Sequence, residues 1–356
     1  MAKARIALIG CGIIGNHHHT QFQKCLDIAE VVGYCDIIPE RAKDLAEKSG
    51  GTAKAYDNYL DMLNDAKPDA VFIGIPPYCH GEIEKELIKR KIPFYVEKPL
   101  ALDIDLAKEI LALVKEANLV TAVGFQCRYG SLPAINKKWC KDHKVVYVEC
   151  DRMSGIPSAP WWKVKSLSGG QLVEQTIHQL DMIRFVFDEP DTVFSMNTKG
   201  LLANPPEGYD TDDLSSTVVK FKSGALGVLT TGCYVEKAEA FDSKVTFSAP
   251  DGRMELKLIN NVKIFGEAQK KLEEGEGNYV KGDGNVGQGS TEFDLYKEEA
   301  DFAGLSERTF IEAAMAGDTK KVLCDYEDGL KSVAFALACN QSMETGLPVK
   351  VDDLLK

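Results

Sequence analysis

Three segments of this 356-residue chain carry residue types able to do chemistry. The first is Gly10-Cys11-Gly12-Ile13-Ile14-Gly15, a G-x-G-x-x-G pattern. The spacing alone is weak, because 30 glycines allow chance matches. Here it follows the apolar run 5–9 (RIALI) and opens a helical pattern, the context a phosphate-binding loop needs. Gly10 permits the tight turn, Gly12 lets backbone approach a pyrophosphate, and Gly15 lets helix pack on strand. The N-terminus of the helix that follows then holds the phosphates. Asp36 closes the next strand about 20 residues further on, where a carboxylate accepts from the adenosine ribose and repels a 2′-phosphate. The pattern predicts NAD in preference to NADP.

The second segment is Glu97-Lys98-Pro99, directly after the apolar run 94–96. It lies at the carboxyl edge of a predicted parallel strand, where open α/β sheets bind ligands. A lysine there can hydrogen-bond a substrate hydroxyl and stabilise negative charge developing on its oxygen. A surface lysine before a proline-started helix fits the tripeptide as well. The third segment is a helical pattern over 171–187, opened by Gly169-Gly170. On one continuous helix Glu174, His178 and Asp181 share a face at i,i+4 and i,i+3 spacing. Ile177, Leu180, Ile183 and Phe187 can then cover the core face. A histidine flanked by carboxylates suits acceptance of a hydroxyl proton near neutral pH, and it suits a purely structural ion pair equally. Trp161, Trp162 and Lys163 precede the double glycine. Tryptophan faces stack on sugar rings, and they also fill cores. His17, His18 and His19 point about 100° apart on a helix, so they do not converge on one ion. They are expected to pack near the cofactor or face solvent, and no metal site is predicted.

The elements that must position these groups change character along the chain. Up to residue 124, short apolar runs (5–9, 31–35, 70–75, 94–96, 120–124) alternate with helical patterns (16–29, 40–48, 82–91, 103–117). That alternation predicts a parallel sheet with right-handed crossovers, covered on both faces. After the 171–187 helix come strand-like runs at 192–197, 215–221, 225–232, 244–248 and 253–258. Hairpin signals such as Lys222-Ser223-Gly224 and Pro250-Asp251-Gly252 separate some of them. This predicts an α+β second domain with a mostly antiparallel, open-faced sheet, and a domain boundary at 124/125. An open apolar face predicts a homo-oligomer, a dimer or a tetramer. The stretch 266–292 is rich in Gly, Glu and Lys and reads as a loop or lid. Helical patterns at 307–317 and 326–345 end the chain.

Composition narrows the partners. A formal charge of −12 argues against nucleic acid and anionic lipid surfaces. No apolar stretch approaches the roughly 20 residues of a membrane span, and no leader pattern opens the chain. The 10 cysteines lack Cys-x-x-Cys pairing and sit mostly in apolar runs, as reduced buried thiols do. A soluble cytoplasmic protein with a small-molecule partner is expected.

Taken together, the Gly10-x-Gly12-x-x-Gly15 loop, Ile75-Pro76-Pro77 with His80, Glu97-Lys98-Pro99, Gly124-Phe125 with Arg128-Tyr129, the Gly169-Gly170 helix with His178 and Asp181, Asp212-Asp213, and the ending 342–348 (SMETGLP) resemble the Gfo/Idh/MocA family of oxidoreductases over nearly the whole chain. The resemblance implies a Rossmann domain followed by an open-faced antiparallel sheet. It implies NAD as cofactor, held by Gly10, Gly12, Ile13, Ile14, Gly15, Asp36, Ile75, Pro76, His80, Glu97 and Lys98. The substrate would be a secondary hydroxyl of a sugar, inositol or sugar derivative. Lys98 would polarise that hydroxyl and His178 would take its proton, with Glu174 in attendance; the Lys98–Pro99 peptide would be cis. Arg128, Tyr129, Trp162, Lys163 and Asp181 would line the substrate site, or the first two would pack at the domain interface. The sequence departs from the family pattern at Glu174, where an aspartate is usual, and at Thr176, where a glycine is usual. An extra methylene moves the carboxylate by roughly an ångström, a displacement to which catalysis is sensitive. A redox-assisted glycosidase, lyase or epimerase that retains NAD is the alternative chemistry for the same residues.

Overall fold

The computed structural model describes residues 2–51, 53–235, 242–266, 279–280 and 293–356. In chain order the main elements are β1 (Ala4–Ile9), α1 (Ile13–Phe22), β2 (Ala29–Cys35), α2 (Pro39–Lys48), β3 (Lys54–Tyr56), α3 (Tyr59–Ala66), β4 (Ala70–Ile73), α4 (Glu82–Lys89), β5 (Phe94–Val96), α5 (Ile104–Ala117) and β6 (Thr121–Val123). There follow α6 (Leu132–Asp142), β7 (Tyr147–Met153), α7 (Lys165–Ser168), α8 (Gly170–Glu174), α9 (Ile177–Val186), β8 (Pro190–Thr198), β9 (Leu214–Phe221), β10 (Leu226–Gly232), β11 (Asp242–Ala249), β12 (Gly252–Lys257) and β13 (Asn261–Phe265). The last are β14 (Tyr279–Val280), β15 (Phe293–Lys297), α10 (Phe302–Ala316), α11 (Tyr326–Thr345), β16 (Val349–Lys350) and α12 (Val351–Leu354). The expected loop or lid at 266–292 lies outside the described residues, apart from Gly266 and β14.

The chain divides into two compact units, 1–129 with 301–333, and 130–300 with 334–356. A single boundary at 124/125 therefore misplaces residues 301–333. They return to the first unit because its core needs them: Phe310 and Ile311 of α10 are buried in one cluster with Leu8, Phe72 and Tyr95. Burying each such side chain contributes roughly 1.5–3 kcal/mol, which outweighs sequence distance.

The first unit is a six-stranded parallel sheet in the order β3-β2-β1-β4-β5-β6. Its central strands are buried along their length, as continuous apolar runs require when helices cover both faces. The helix expected over 16–29 stops at Phe22. Successive tight turns follow, with Cys25 N–H on Phe22 C=O at 2.9 Å and Ile28 N–H on Cys25 C=O at 3.0 Å. They bring Ala29 back beside Ala4, the first pair of the β1–β2 register. Pro39 begins α2, one residue ahead of the expected 40–48, and the Asp103 carboxylate caps α5 by accepting from Asp105 N–H at 2.8 Å.

The second unit carries a ten-stranded sheet, β14-β15-β13-β12-β11-β7-β10-β9-β8-β16. Every neighbouring pair is antiparallel except β7 with β10. Alternation of period two sets its faces. Val148, Cys150, Val219, Leu229, Val245, Phe247 and Met254 are buried on one side, whereas Phe194, Met196, Val218 and Leu226 are exposed on the other. All described cysteines are free thiols, most of them buried. No described helix is long and apolar enough to cross a membrane.

Candidate active site

The glycine loop is shaped by what cannot fit in it. Gly10 has φ +94°, and a Cβ on it would stand 2.3 Å from the Gly74 carbonyl oxygen. A Cβ on Gly15 would stand 2.2 Å from the Gly10 carbonyl oxygen, so α1 could not approach β1 with any side chain there. At Gly12, in contrast, nothing lies within 4 Å of the Cβ position: the loop presents open space at that point. No side chain caps α1, so its first amides, which a helix cannot satisfy internally, remain for a ligand. Asn16 braces the loop by donating from Nδ2 to Gly12 C=O at 2.9 Å. Apolar surface surrounds this edge, with Ile13 79% and Ile37 90% exposed. Open backbone, free amides and apolar side chains held in water are what a dinucleotide would cover.

Asp36 stands where the sequence pattern placed it. Its Oδ2 accepts from Cys11 N–H and its Oδ1 from Ile38 N–H, both at 2.8 Å. It thus holds the glycine loop, and a carboxylate with about four acceptor positions keeps two for ribose hydroxyls. Ile75 and Pro76 follow β4 at the same edge, ahead of His80. His80 Nδ1 lies 2.6 Å from Glu84 Oε1, and Glu84 Oε2 accepts Gly81 N–H at 2.7 Å. Burial opposes ionisation of Glu84, but His80 and the Gly81 amide outweigh it and hold the carboxyl below its ordinary range. His80 therefore donates from Nδ1 and turns Nε2 away from Glu84.

The Glu97-Lys98-Pro99 turn leaves the end of β5, with a cis Lys98–Pro99 peptide and a half-buried lysine. Glu97 is buried, and its carboxylate makes contacts within the protein. Its Oε2 accepts Lys98 N–H at 3.2 Å, and its Oε1 accepts from Gln126 Nε2 at 3.4 Å and stands 3.3 Å from His18 Nε2. A Cβ on Gly124 would meet the Glu97 carboxylate at 2.5 Å, which explains the glycine after β6. Of the two placements expected for His18, near the cofactor or facing solvent, the second does not occur: it is fully buried, with Nδ1 2.7 Å from Glu307 Oε1 of α10. Burial opposes its charge, but Glu307 and Glu97 raise its pKa to about 10. Burial raises Glu307 to about 7 against the pull of His18. His19 Nδ1 goes to Tyr34 OH at 2.7 Å, so neighbouring imidazoles diverge, as helix geometry requires.

Arg128 and Tyr129, expected at a substrate pocket, bind the protein's own backbone. Arg128 Nη1 donates to Leu323 C=O at 2.6 Å and pairs with Asp328, and Tyr129 OH accepts Leu323 N–H at 3.0 Å. These contacts lie within the first unit and fasten the segment before α11 to the turn after β6.

In the second unit the single helix expected over 171–187 is two. Gly169 and Gly170 both have positive φ, +75° and +81°, which accounts for the double glycine. α8 ends at Glu174, and Thr176 N–H reaches back to Gln171 C=O at 2.9 Å, a wide turn that interrupts the helix. The Thr176 hydroxyl, buried where the family has glycine, bonds that of Thr231 on β10. His178 and Asp181 remain i,i+3 on α9. Glu174 is no longer on their helix, so the shared face of three is not formed. Its Oε2 instead accepts from the indole N–H of Trp162 at 2.7 Å and from the Gln175 amide. Trp162 is fully buried and has no exposed face for a sugar ring. Lys163 Nζ donates to Glu207 C=O, which ties down the loop before β9.

A glycine cradle with free helix amides at a parallel-sheet edge, a carboxylate at the end of β2, and a separate domain with a large antiparallel sheet define an NAD-dependent oxidoreductase of two domains. The chain belongs to the Gfo/Idh/MocA family. Residues 4–125 match the family's NAD-binding Rossmann fold and residues 143–351 its C-terminal alpha/beta domain. It is similar to the myo-inositol 2-dehydrogenase of Thermotoga maritima, 27% identical over 99% of each chain. It is similar also to the inositol 2-dehydrogenase/D-chiro-inositol 3-dehydrogenase of Lactiplantibacillus plantarum, 30% identical over 74% of this chain and 75% of that one. Among solved structures, a levoglucosan dehydrogenase in complex with NADH and L-sorbose shares the fold, with TM-score 0.80, 17% identity and 99% of each chain covered.

Sequence reasoning missed Glu84 and Glu307, and it named His18 and Gly124 without the contacts they make. His18 alone left a signal: Ile14, His18 and Phe22 recur at i,i+4 along α1, which places the imidazole on the inward face.

Proposed function

We propose that this enzyme oxidises a secondary ring hydroxyl of an inositol or related cyclic sugar, with NAD as oxidant. The observation that carries the substrate class is end-to-end similarity to a myo-inositol 2-dehydrogenase, in a chain that keeps a lysine on the turn after β5 and a histidine on α9. Bound NAD supplies the hydride acceptor. Gly10, Gly12 and Gly15 with the first amides of α1 hold its pyrophosphate, and Asp36 holds its adenosine ribose. Lys98 donates to the reacting hydroxyl and stabilises negative charge on its oxygen. His178, sharing a helix face with Asp181, takes the hydroxyl proton as the carbinol C–H departs as hydride, leaving a ketone. The enzyme works in the cytoplasm as a homo-oligomer, built on the exposed apolar face of the ten-stranded sheet; the free thiols and the exposed Phe194, Met196 and Val218 support both statements.

The test mixes the purified enzyme with NAD or NADP and a panel of inositols, sugars and glycosides, and follows reduced nicotinamide. Steady NADH production with a cyclic polyol is expected. Consumption of a glycoside or formation of an epimer without net NADH would replace the dehydrogenase with a retained-NAD mechanism. Lys98→Ala and His178→Ala should each lower kcat at least ~100-fold and leave the NAD dissociation constant within about threefold. Near-normal turnover in either variant removes that residue from the chemistry.

A further inference from the structure

Behind the Lys98 turn lies a buried chain of charged groups that the reaction scheme does not use. His18 on α1 has no exposed surface and sits among the rings of Phe22, Phe72 and Tyr95, with centroids 5.6–6.1 Å away. Its two nitrogens reach two carboxylates from different elements, Glu307 on α10 at 2.7 Å and Glu97 after β5 at 3.3 Å. Glu97 in turn spends its other oxygen on the backbone amide of Lys98. We propose that His18 and Glu307 are positioning residues for Lys98, clamping the Glu97 carboxylate so that the lysine turn is held at a fixed place over α1. This rests on the reading that Lys98 acts on the substrate hydroxyl.

Three features point to positioning rather than to stability alone. Burying an ion pair is costly, and well-packed apolar residues in its place are often neutral or stabilising, so an aromatic core gains little from an imidazole. The chain of contacts ends on the lysine's own amide. The clamp also begins on α1, the helix whose N-terminus forms the cofactor cradle, so one side chain ties the lysine to the element that carries NAD. Gly124 keeps the path clear, because a Cβ there would strike the Glu97 carboxylate.

The test uses the full chain with NAD and myo-inositol, and the variants His18→Phe, Glu307→Gln and Lys98→Ala. His18→Phe fits the surrounding rings but removes both nitrogens; Glu307→Gln keeps shape and removes charge. Each is expected to lower kcat ~30- to 100-fold, leave NAD affinity within about threefold, and raise the primary deuterium isotope effect on kcat, because a displaced lysine slows the hydride step. In the Lys98→Ala background the same changes should add less than about twofold, since they act through the lysine. Independently of turnover, NMR of the wild-type enzyme with labelled imidazoles should show both His18 nitrogens protonated at pH 8. A wild-type kcat in folded Glu307→Gln, a loss of thermal stability with kcat per folded molecule unchanged, or a full additional loss in the Lys98→Ala background each overturns the proposal. If His18→Phe does not fold, Glu307→Gln decides by the same readouts. If Lys98→Ala itself turns over normally, it is the reading of Lys98 that fails, and the clamp loses its purpose with it.

Discussion

His18 shows how far one side chain's surroundings reset its chemistry. An imidazole ordinarily loses its proton near 6.5, yet the carboxylates of Glu307 and Glu97 overcome burial and hold it to about 10. Glu307, raised by burial, ionises at about 7 in place of 4.5. Both shifts have the same sign for stability, because in each case the folded state binds protons more tightly than the unfolded chain. The His18 contribution is complete below 6.5 and is lost as pH rises through about 10, while the Glu307 contribution fades between 4.5 and about 7. Tyr95 and His17 also border the cluster, and burial moves their ionisations up and down respectively. Urea denaturation from pH 5 to pH 10 should show wild-type stability falling relative to a His18→Phe, Glu307→Leu double variant, by at most about 1.4 kcal/mol per pH unit for each proton. Parallel curves would mean that the cluster titrates alike in both states.

At the scale of elements, the proposed site residues stand at element ends, and single groups hold those ends. The α8–α9 break puts Glu174 under the indole of Trp162 and leaves His178 in the first turn of α9. No propensity demands that break; the buried Thr176–Thr231 contact holds it, whereas the two left-handed glycines lie earlier, between α7 and α8. Glu298 performs a similar service at the start of α6. Its Oε1 accepts from the amides of Ser131 at 2.8 Å and Ala300 at 2.9 Å, and from the Ser131 hydroxyl at 2.8 Å. Burial opposes its charge, but those donors hold its carboxyl below the usual range. Glu298→Ala strands several donors at once, so a loss of roughly 1–3 kcal/mol is expected in chemical denaturation. NAD affinity should be unchanged, because the glycine cradle is built elsewhere; a change in NAD affinity with no loss of stability would contradict this account.

For the whole molecule, the proposed homo-oligomer rests on the open face of the large sheet. Register sets Phe194 opposite Val218 and Val218 opposite Val228, an apolar band across three strands. Val218 is 51% exposed, and an uncovered band of this kind is what supports the proposed contact between copies. Val218→Glu adds charge to a molecule already at −12 and places it in the middle of the band. Light scattering should find the wild type as a dimer or tetramer and Val218→Glu shifted towards monomer, with the fold intact by circular dichroism. A monomeric wild type would refute the assembly.

What was legible in the sequence was local. The cradle of Gly10, Gly12 and Gly15, Asp36 at the end of its strand, the lysine turn and the alternating strands and helices were all readable, because each depends on steric and hydrogen-bonding needs within a few residues. The buried faces followed from periods of 2 and about 3.6 residues. Tertiary structure decided what depends on distant chain. His18 meets Glu307 across 289 residues, Arg128 reaches Asp328 across 200, and residues 301–333 rejoin the first unit. The division of the 171–187 helix was likewise imposed by contacts with β10 and Trp162. A pattern along the chain records which face a residue turns to the core; which partner meets it there is fixed only when the elements pack.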